Sequence, residues 1–298
     1  MEEQVKESSI LIREVETKNI MTKSTLPVGG YSVNPYVGCT HGCKYCYASF
    51  MKRFTGHTEQ WGTFLDVKRW PAIKNPWKYR GQRVVIGSVT DGYNPQEEQF
   101  GNTRRILEQL KGSGAEILIC TKSDLVVRDL ELLKTLGKVT VSWSINTLDE
   151  QFRADMDQAV SIERRLSAMK KVYDAGIRTV CFISPVFPGI TDFEAIFERV
   201  RNQCDLVWLE NLNLRGGFKK DIMDYIQEKY PDLVSLYDAI YNKKDRSYFQ
   251  MLEEKAKRLA RNNNCPFVDN ELPYGRAEQG HPVIVDYFYH EEVRGSEN

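Results

Sequence analysis

Cys39, Cys43 and Cys46 are the residues best placed to do chemistry together. They stand in the string Cys39-Thr40-His41-Gly42-Cys43-Lys44-Tyr45-Cys46-Tyr47, a C-x3-C-x2-C spacing just after a short extended run at 32–38. Three thiolates this close can hold three irons of a cubane 4Fe–4S cluster and leave the fourth iron without a protein ligand, open to a small chelating molecule. A structural zinc ion instead wants four closed ligands. His41 would supply the fourth in a Cys3His site. A ligand squeezed between Cys39 and Cys43 strains a tetrahedron, however, and no second C-x2-C is present. The iron–sulfur reading is favoured, and a zinc-bound nucleic-acid adaptor is the non-enzymatic alternative.

A frame must position such a loop. From about 31 to 210 the chain alternates extended and helical runs. The extended runs are 32–38, 83–87, 116–121, 138–146, 177–184 and 205–210. One helical run, around 98–111, stops at Gly112-Ser113-Gly114. The next carries Leu125, Leu130, Leu133 and Leu136. A third begins at Ser161, sets Ile162, Leu166, Met169 and Tyr173 on one face, and ends before Gly176. A fourth opens on a Thr191-x-x-Glu194 capping box and buries Phe193, Ile196, Phe197 and Val200. Six strands alternating with helices imply parallel pairing and right-handed crossovers. Periodicity does not choose between a doubly wound sheet and a full or partial β/α barrel. In both, functional residues gather at the C-terminal strand ends. There the sequence carries Ser88-Val89-Thr90-Asp91-Gly92-Tyr93-Asn94-Pro95, Thr121-Lys122-Ser123-Asp124 and Pro185–Gly189. Ser142, Ser144 and Asn146 share one strand face. Residues 1–30 read as a leader ending in Gly29-Gly30, 216–262 as amphipathic helices, and 263–298 as a loop, a strand-like VIVDYFY and a polar tail.

The cysteine string, with an aromatic residue before its last cysteine, resembles the radical S-adenosylmethionine (SAM) superfamily. The resemblance implies a 4Fe–4S cluster on Cys39, Cys43 and Cys46 whose open iron chelates the SAM amino and carboxylate groups. It implies reductive cleavage of SAM to a 5′-deoxyadenosyl radical and hydrogen abstraction from a substrate. The implied fold is a partial (β/α)6 TIM-like barrel over 31–215, with the leader before it and a C-terminal helical extension over 216–298 capping it. Within the superfamily, CTHGCKYCYA, SVTDGYNP, TKSD, SWSIN and the helix with ERR (163–165) are similar to the spore photoproduct lyase-like branch over about 33–215. The leader-plus-cluster text MTKSTLPVGGYSVNPYVGCTHGCKYCYASFMKRF is similar to the B members of the radical SAM mobile pair, which implies a second radical SAM protein as partner.

Carried over residue by residue, Thr90 and Asp91 would hold the SAM amino group, Lys122 the carboxylate, and Ser144 and Asn146 the ribose. Tyr45 would face the cofactor, and Tyr45 and Tyr47 match tyrosines proposed to relay hydrogen atoms. The lyases keep a catalytic cysteine where this chain has Ser88, whose O–H is too strong to quench a carbon radical. Cys120, Cys181, Cys204 and Cys265 are the candidate substitutes, with a buried free thiol as the alternative for each. Cys120 lies on the strand face of Lys122, and Cys265 in a loop with Pro266, Tyr274 and His281 that would approach the barrel mouth. A reducing partner such as flavodoxin or ferredoxin is implied as well.

The segment 51–83 holds eight cations, among them Arg53, Lys68, Arg69, Lys74 and Lys78, against Glu59 and Asp66, a net +6 in a chain whose 41 Lys+Arg balance 41 Asp+Glu. It also holds Trp61, Trp70 and Trp77 of the five tryptophans. Cations interleaved with flat aromatics suit phosphates and stacked bases, at ~1–3 kcal/mol per stacked base. The expected substrate is therefore a nucleic acid or nucleotide, with a peptide or small metabolite as the alternative. The remaining −6 argues against a strong nonspecific grip on DNA. With 41% hydrophobic and 28% charged residues the chain of 298 residues reads as globular. No apolar run reaches the ~18 residues of a membrane span. Seven cysteines make a poor disulfide framework and fit a reducing cytoplasm, and the acidic start is no secretory signal.

Overall fold

The computed structural model describes residues 10–24, 30–214, 216–269 and 275–288. The ends 1–9 and 289–298, Gly29 of the leader hinge and Tyr274 lie outside the described residues. The strands are β1 (Leu11–Glu16), β2 (Met21–Lys23), β3 (Tyr31–Val33), β4 (Tyr36–Val37), β5 (Phe64–Arg69), β6 (Arg83–Ile86), β7 (Glu116–Thr121), β8 (Lys138–Ser144), β9 (Arg178–Val186), β10 (Leu206–Asn211), β11 (Phe267–Asp269) and β12 (Val283–Asp286). Nine form one sheet in the order β11-β12-β10-β9-β8-β7-β6-β3-β2. From β3 through β10 the strands lie in chain order and every neighbouring pair is parallel, with Val84 opposite Ile117 and Ser142 opposite Val180. This is a partial (β/α)6 barrel. In it, all C-terminal strand ends point to the same rim.

Strands β6, β9 and β10 are largely buried on both faces because the sheet is covered on both. Val141, Ile183 and Leu209 are fully buried. They pack with Leu166, Met169 and Val172 of the helix Ile162–Asp174 and with Ile196, Phe197 and Val200 of the helix Phe193–Val200. Burying each such side chain contributes about 1.5–3 kcal/mol. The Ser161 side chain caps the first helix by accepting from Arg164 N. The cap of the second is Asp192, one residue later than expected, because Thr191 Oγ1 instead donates to Asn146 O, 2.8 Å away, and accepts from Phe187 N. The helical run near 98–111 is two short helices, Glu97–Phe100 and Asn102–Gln109, broken at Gly101, whose φ of 60° ends the first.

Three strands were not legible as such. β1 pairs in parallel with β5, Leu11 opposite Phe64, and β2 adds an antiparallel edge to β3, so the leader takes part in both sheets. β5 itself lies inside the basic segment 51–83 and carries β4 beside it. These strands are short, and the pairing of β1 with β5 joins residues more than fifty apart, which no local periodicity reports. The C-terminal region also adds to the sheet: β12 pairs with β10, and β11 extends the sheet beyond it.

Asp286, at the end of β12, is 3% exposed. Burial pushes its carboxyl up to about 7; the Phe288 N–H and Lys257 oppose the shift, and Glu253 and Asp269 add to it. An unfolded Asp titrates near ~3.9. The native state therefore binds the extra proton between those values, and stability falls as pH rises from about 4 to about 7, then stays level. Asp286→Asn is expected to gain roughly 2–4 kcal/mol over wild type at pH 8 and far less at pH 5 in urea denaturation. An equal difference at both pH values would contradict this account.

Candidate active site

The cysteine loop and the rim of strands β6 to β10 enclose a cavity of about 710 Å³. Cys39, Cys43 and Cys46 line one wall. Ser88, Lys122, Ser144, Ser184 and Glu210 come from five successive strand ends, and Phe182, Trp208 and Tyr287 make an aromatic floor. The outer wall brings Lys244, Asp245 and Arg246 from between the helices Val234–Tyr241 and Ser247–Asn262.

Two buried polar knots hold the loop in place. In the first, Asp91 has four acceptor positions and all are filled. It accepts from Tyr93 N at 2.8 Å, Lys122 N at 2.7 Å and Thr121 Oγ1 at 2.9 Å, and the His41 ring lies 3.0 Å away. Burial disfavours the Asp91 carboxylate, but His41 and the backbone N–H groups outweigh it and hold the pKa below its ordinary value. Asp91 therefore ties the cysteine loop to the ends of β6 and β7. Of the two residues that the resemblance places at the SAM ammonium, Asp91 has its acceptor positions filled within the protein. Thr90 also lines the cavity, and its Oγ1 donates to Gly38 O at 2.5 Å.

In the second knot Arg165 and Asp157, each 1% exposed, meet at 2.7 Å. Asp157 also accepts from the Tyr45 hydroxyl at 3.3 Å, and Arg165 donates to Ser144 O. Gly87 is required where β6 turns into the rim: its φ is 90°, and a Cβ there would sit 2.6 Å from Cys120 O.

The cation and the thiols are placed for distinct tasks. Lys122 Nζ stands 5.6 Å from the Tyr45 ring inside the cavity. Burial works against its charge, but Cys43, Asp157 and Asp91 outweigh burial and the repulsion of Arg165, so its pKa is raised. Among the described residues, Cys120 is the one further thiol lining the cavity, and burial pushes it up to about 12, so it keeps its S–H. Ser88 Oγ instead belongs to a polar cluster with Ser32 and Asn34, and the Tyr47 hydroxyl donates to Ser88 O.

Several expected residues are elsewhere. Asn146 is buried behind the rim beside Tyr45 and does not line the cavity. Cys265 is buried near Cys204, ahead of β11 and at the opposite end of the barrel, because Cys265 and Cys204 precede the strands that run toward the rim. The basic aromatic segment is not one surface. Arg53 is exposed beside the cavity loop. Lys68 and Arg69 lie on β5, with Arg69 paired to Glu14 at 2.6 Å. Trp70 is 4% exposed and stacks with Arg105. Lys74, Trp77 and Lys78 lead into the N-terminal end of β6, away from the cysteines. Trp61 packs against the cysteine loop. Reasoning from sequence missed Glu210, although the strand-end rule applies to it, and Asp157, whose role appears only once its helix folds back.

The donor set fits a 4Fe–4S cluster. Three thiols face one cavity, yet among the described residues no three His, Cys, Asp or Glu groups converge on a single metal ion. His41 keeps one ring nitrogen on Asp91, and its other nitrogen, buried and without a hydrogen-bond partner among the described residues, does not converge with the thiols on one metal ion. Lys122 and Thr90 suit a carboxylate and an ammonium on the same small molecule, which fits SAM. No described helix is long and apolar enough to cross a membrane.

The family model of the radical SAM superfamily matches residues 33–200. An uncharacterised protein of Methanocaldococcus jannaschii is 34% identical over 239 residues, covering 79% of this chain and 89% of that protein. Among solved structures, a spore photoproduct lyase variant superposes with a TM-score of 0.63 at 15% identity, over 93% of this chain and 82% of that one. A second lyase variant, with bound AdoMet and dinucleoside spore photoproduct, gives 0.53 at 17% identity over 74% of this chain and 66% of that one.

Proposed function

The chain belongs to the radical SAM superfamily, and on that premise we propose that it abstracts hydrogen from a nucleic acid or nucleotide held at the rim cavity. The observation that carries this reading is the convergence of Cys39, Cys43, Cys46 and Lys122 on one cavity whose floor is aromatic. The bound cluster and SAM would supply the 5′-deoxyadenosyl radical. Lys122 holds the SAM carboxylate, Thr90 accepts from the ammonium, and the Ser144 backbone, fixed by Arg165, sets the rim against which the ribose lies. In this reading Cys120 gives its S–H hydrogen atom to the product radical, the flavodoxin- or ferredoxin-like reductant and a proton return the resulting thiyl radical to the thiol, and Tyr47 stands beside it at the mouth.

The substrate class has two supports. The lyase variant above carries a dinucleoside together with AdoMet. Here, Phe50, Phe54 and Arg53 are exposed next to the cysteine loop, and Lys244 and Arg246 face the same mouth. Flat rings and cations bind bases and phosphates. A flavodoxin- or ferredoxin-like reductant, and a second radical SAM protein, are the proposed partners.

The test is deuterium transfer. With reduced, cluster-loaded protein and SAM, deuterated oligonucleotides are expected to pass label into 5′-deoxyadenosine. Cys120→Ala is expected to keep that transfer and lose the quenched product. Oligonucleotide affinity is expected to fall severalfold in Arg53→Ala/Lys244→Ala and to stay unchanged in Lys74→Ala/Lys78→Ala. Label from peptides but not from oligonucleotides would reverse the substrate assignment.

A further inference from the structure

Trp61 sits in the turn that follows the short helix Tyr47–Phe54 and precedes β5, and it is half-buried. Its indole N–H is fully buried and completes no hydrogen bond among the described residues. A buried N–H left unmade costs about 1–3 kcal/mol, so such a group calls for an acceptor. The indole lies within reach of the Cys46 side chain.

The turn is built to keep that ring where it is. Gly62, at φ 102°, lies so close to the cysteine loop that a Cβ would come 2.9 Å from Gly42 Cα. The Trp61 ring meets Phe64 edge-on at 5.7 Å, and Phe64 is fully buried and stacks on His57 at 3.9 Å. His57 in turn is pinned on both sides, 2.9 Å from Glu59 Oε2 and 2.9 Å from Asp66 Oδ1. From Asp66 on β5 to the indole, every link is a packed ring or a hydrogen bond.

We propose that Trp61 is a positioning residue of the iron–sulfur site, its indole N–H donating to the Cys46 sulfur when that sulfur ligates iron. This rests on the radical SAM reading above. A donor to a ligating sulfur withdraws negative charge from the cluster. The reduced cluster carries one more negative charge than the oxidised one and gains more from the donor, so the bond raises the reduction potential. A residue expected to stack on a base thus serves the cofactor from behind its loop.

The experiment uses the cluster-loaded full chain. Trp61→Phe keeps a flat ring and removes the N–H. It is expected to keep the wild-type iron content and shift the midpoint potential to a more negative value. An unchanged potential at full iron content overturns the proposal. If that variant does not load iron, the wild-type protein decides. With 15N-indole-labelled tryptophan, pulsed EPR of the reduced cluster is expected to show a 15N coupling. Trp208 also faces the cavity with an unpartnered indole N–H, so Trp208→Phe must retain the coupling. No coupling in wild type, or its loss in Trp208→Phe, overturns the proposal. A protein that shows no cluster signal at all refutes the radical SAM reading instead, so the two failures are distinguishable.

Discussion

Cys43→Ala is expected to abolish cluster retention and, with it, all 5′-deoxyadenosine formation. After anaerobic reconstitution the wild type should hold about four irons per chain. Each cysteine of the loop answers for one iron corner, and no neighbouring side chain can replace it. Among the described residues His41 does not converge with the thiols on a metal ion, and Cys120 stands on β7, outside the loop. Cys39→Ala and Cys46→Ala are expected to behave alike. The effect is on ligation, not on folding: Cys43 lines an open cavity, and the turns of its loop are backbone bonds, Gly42 N to Cys39 O at 3.2 Å and Cys46 N to Cys43 O at 3.1 Å. Far-UV circular dichroism of the apoprotein should therefore be unchanged. Iron analysis and product assay decide the matter. Full iron and undiminished deoxyadenosine in any one of the three variants would sink the assignment, as would stoichiometric zinc in a colourless wild type.

The ladder of strands was legible because each strand carries its own signal. RVVI and EILICT are largely apolar runs, as a parallel sheet covered on both faces needs, and KVTVSWS alternates Val139, Val141 and Trp143 with a polar face. The cluster site was legible because its ligands are contiguous. What stayed hidden depends on distant pairs. β1 finds its partner in β5, Asp91 exhausts its oxygens on His41 and Thr121, and Trp61 shares a basic segment with Lys74 and Lys78 yet faces the other end of the barrel. A segment's composition says which ligands it could bind; only the turn at Gly62 says that one of its rings faces inward.

Arg165→Leu is expected to destabilise the protein by about 3–5 kcal/mol, because it strands a buried carboxylate. Arg165 spends its guanidinium on three acceptors: Asp157 Oδ1 at 2.7 Å, Val160 O at 2.9 Å and Ser144 O at 3.2 Å. Without it, Asp157 keeps the Ala159 N–H, the Tyr45 hydroxyl and an Arg153 contact at 3.8 Å, too little to balance a charge that is 1% exposed. The same loss frees Tyr45 beside Cys43 and Cys46 and the end of β8. Cluster retention should fall even where the variant stays folded. The penalty belongs to the unpaired partner, so the double variant Arg165→Met/Asp157→Leu is expected to recover most of the stability while leaving the loop loose. Urea midpoints of the apoprotein at pH 7, set beside iron content, separate the two effects. If Arg165→Leu stays within about 1 kcal/mol of wild type, or if the double variant is worse than the single one, the pair does not hold the cysteine loop as described.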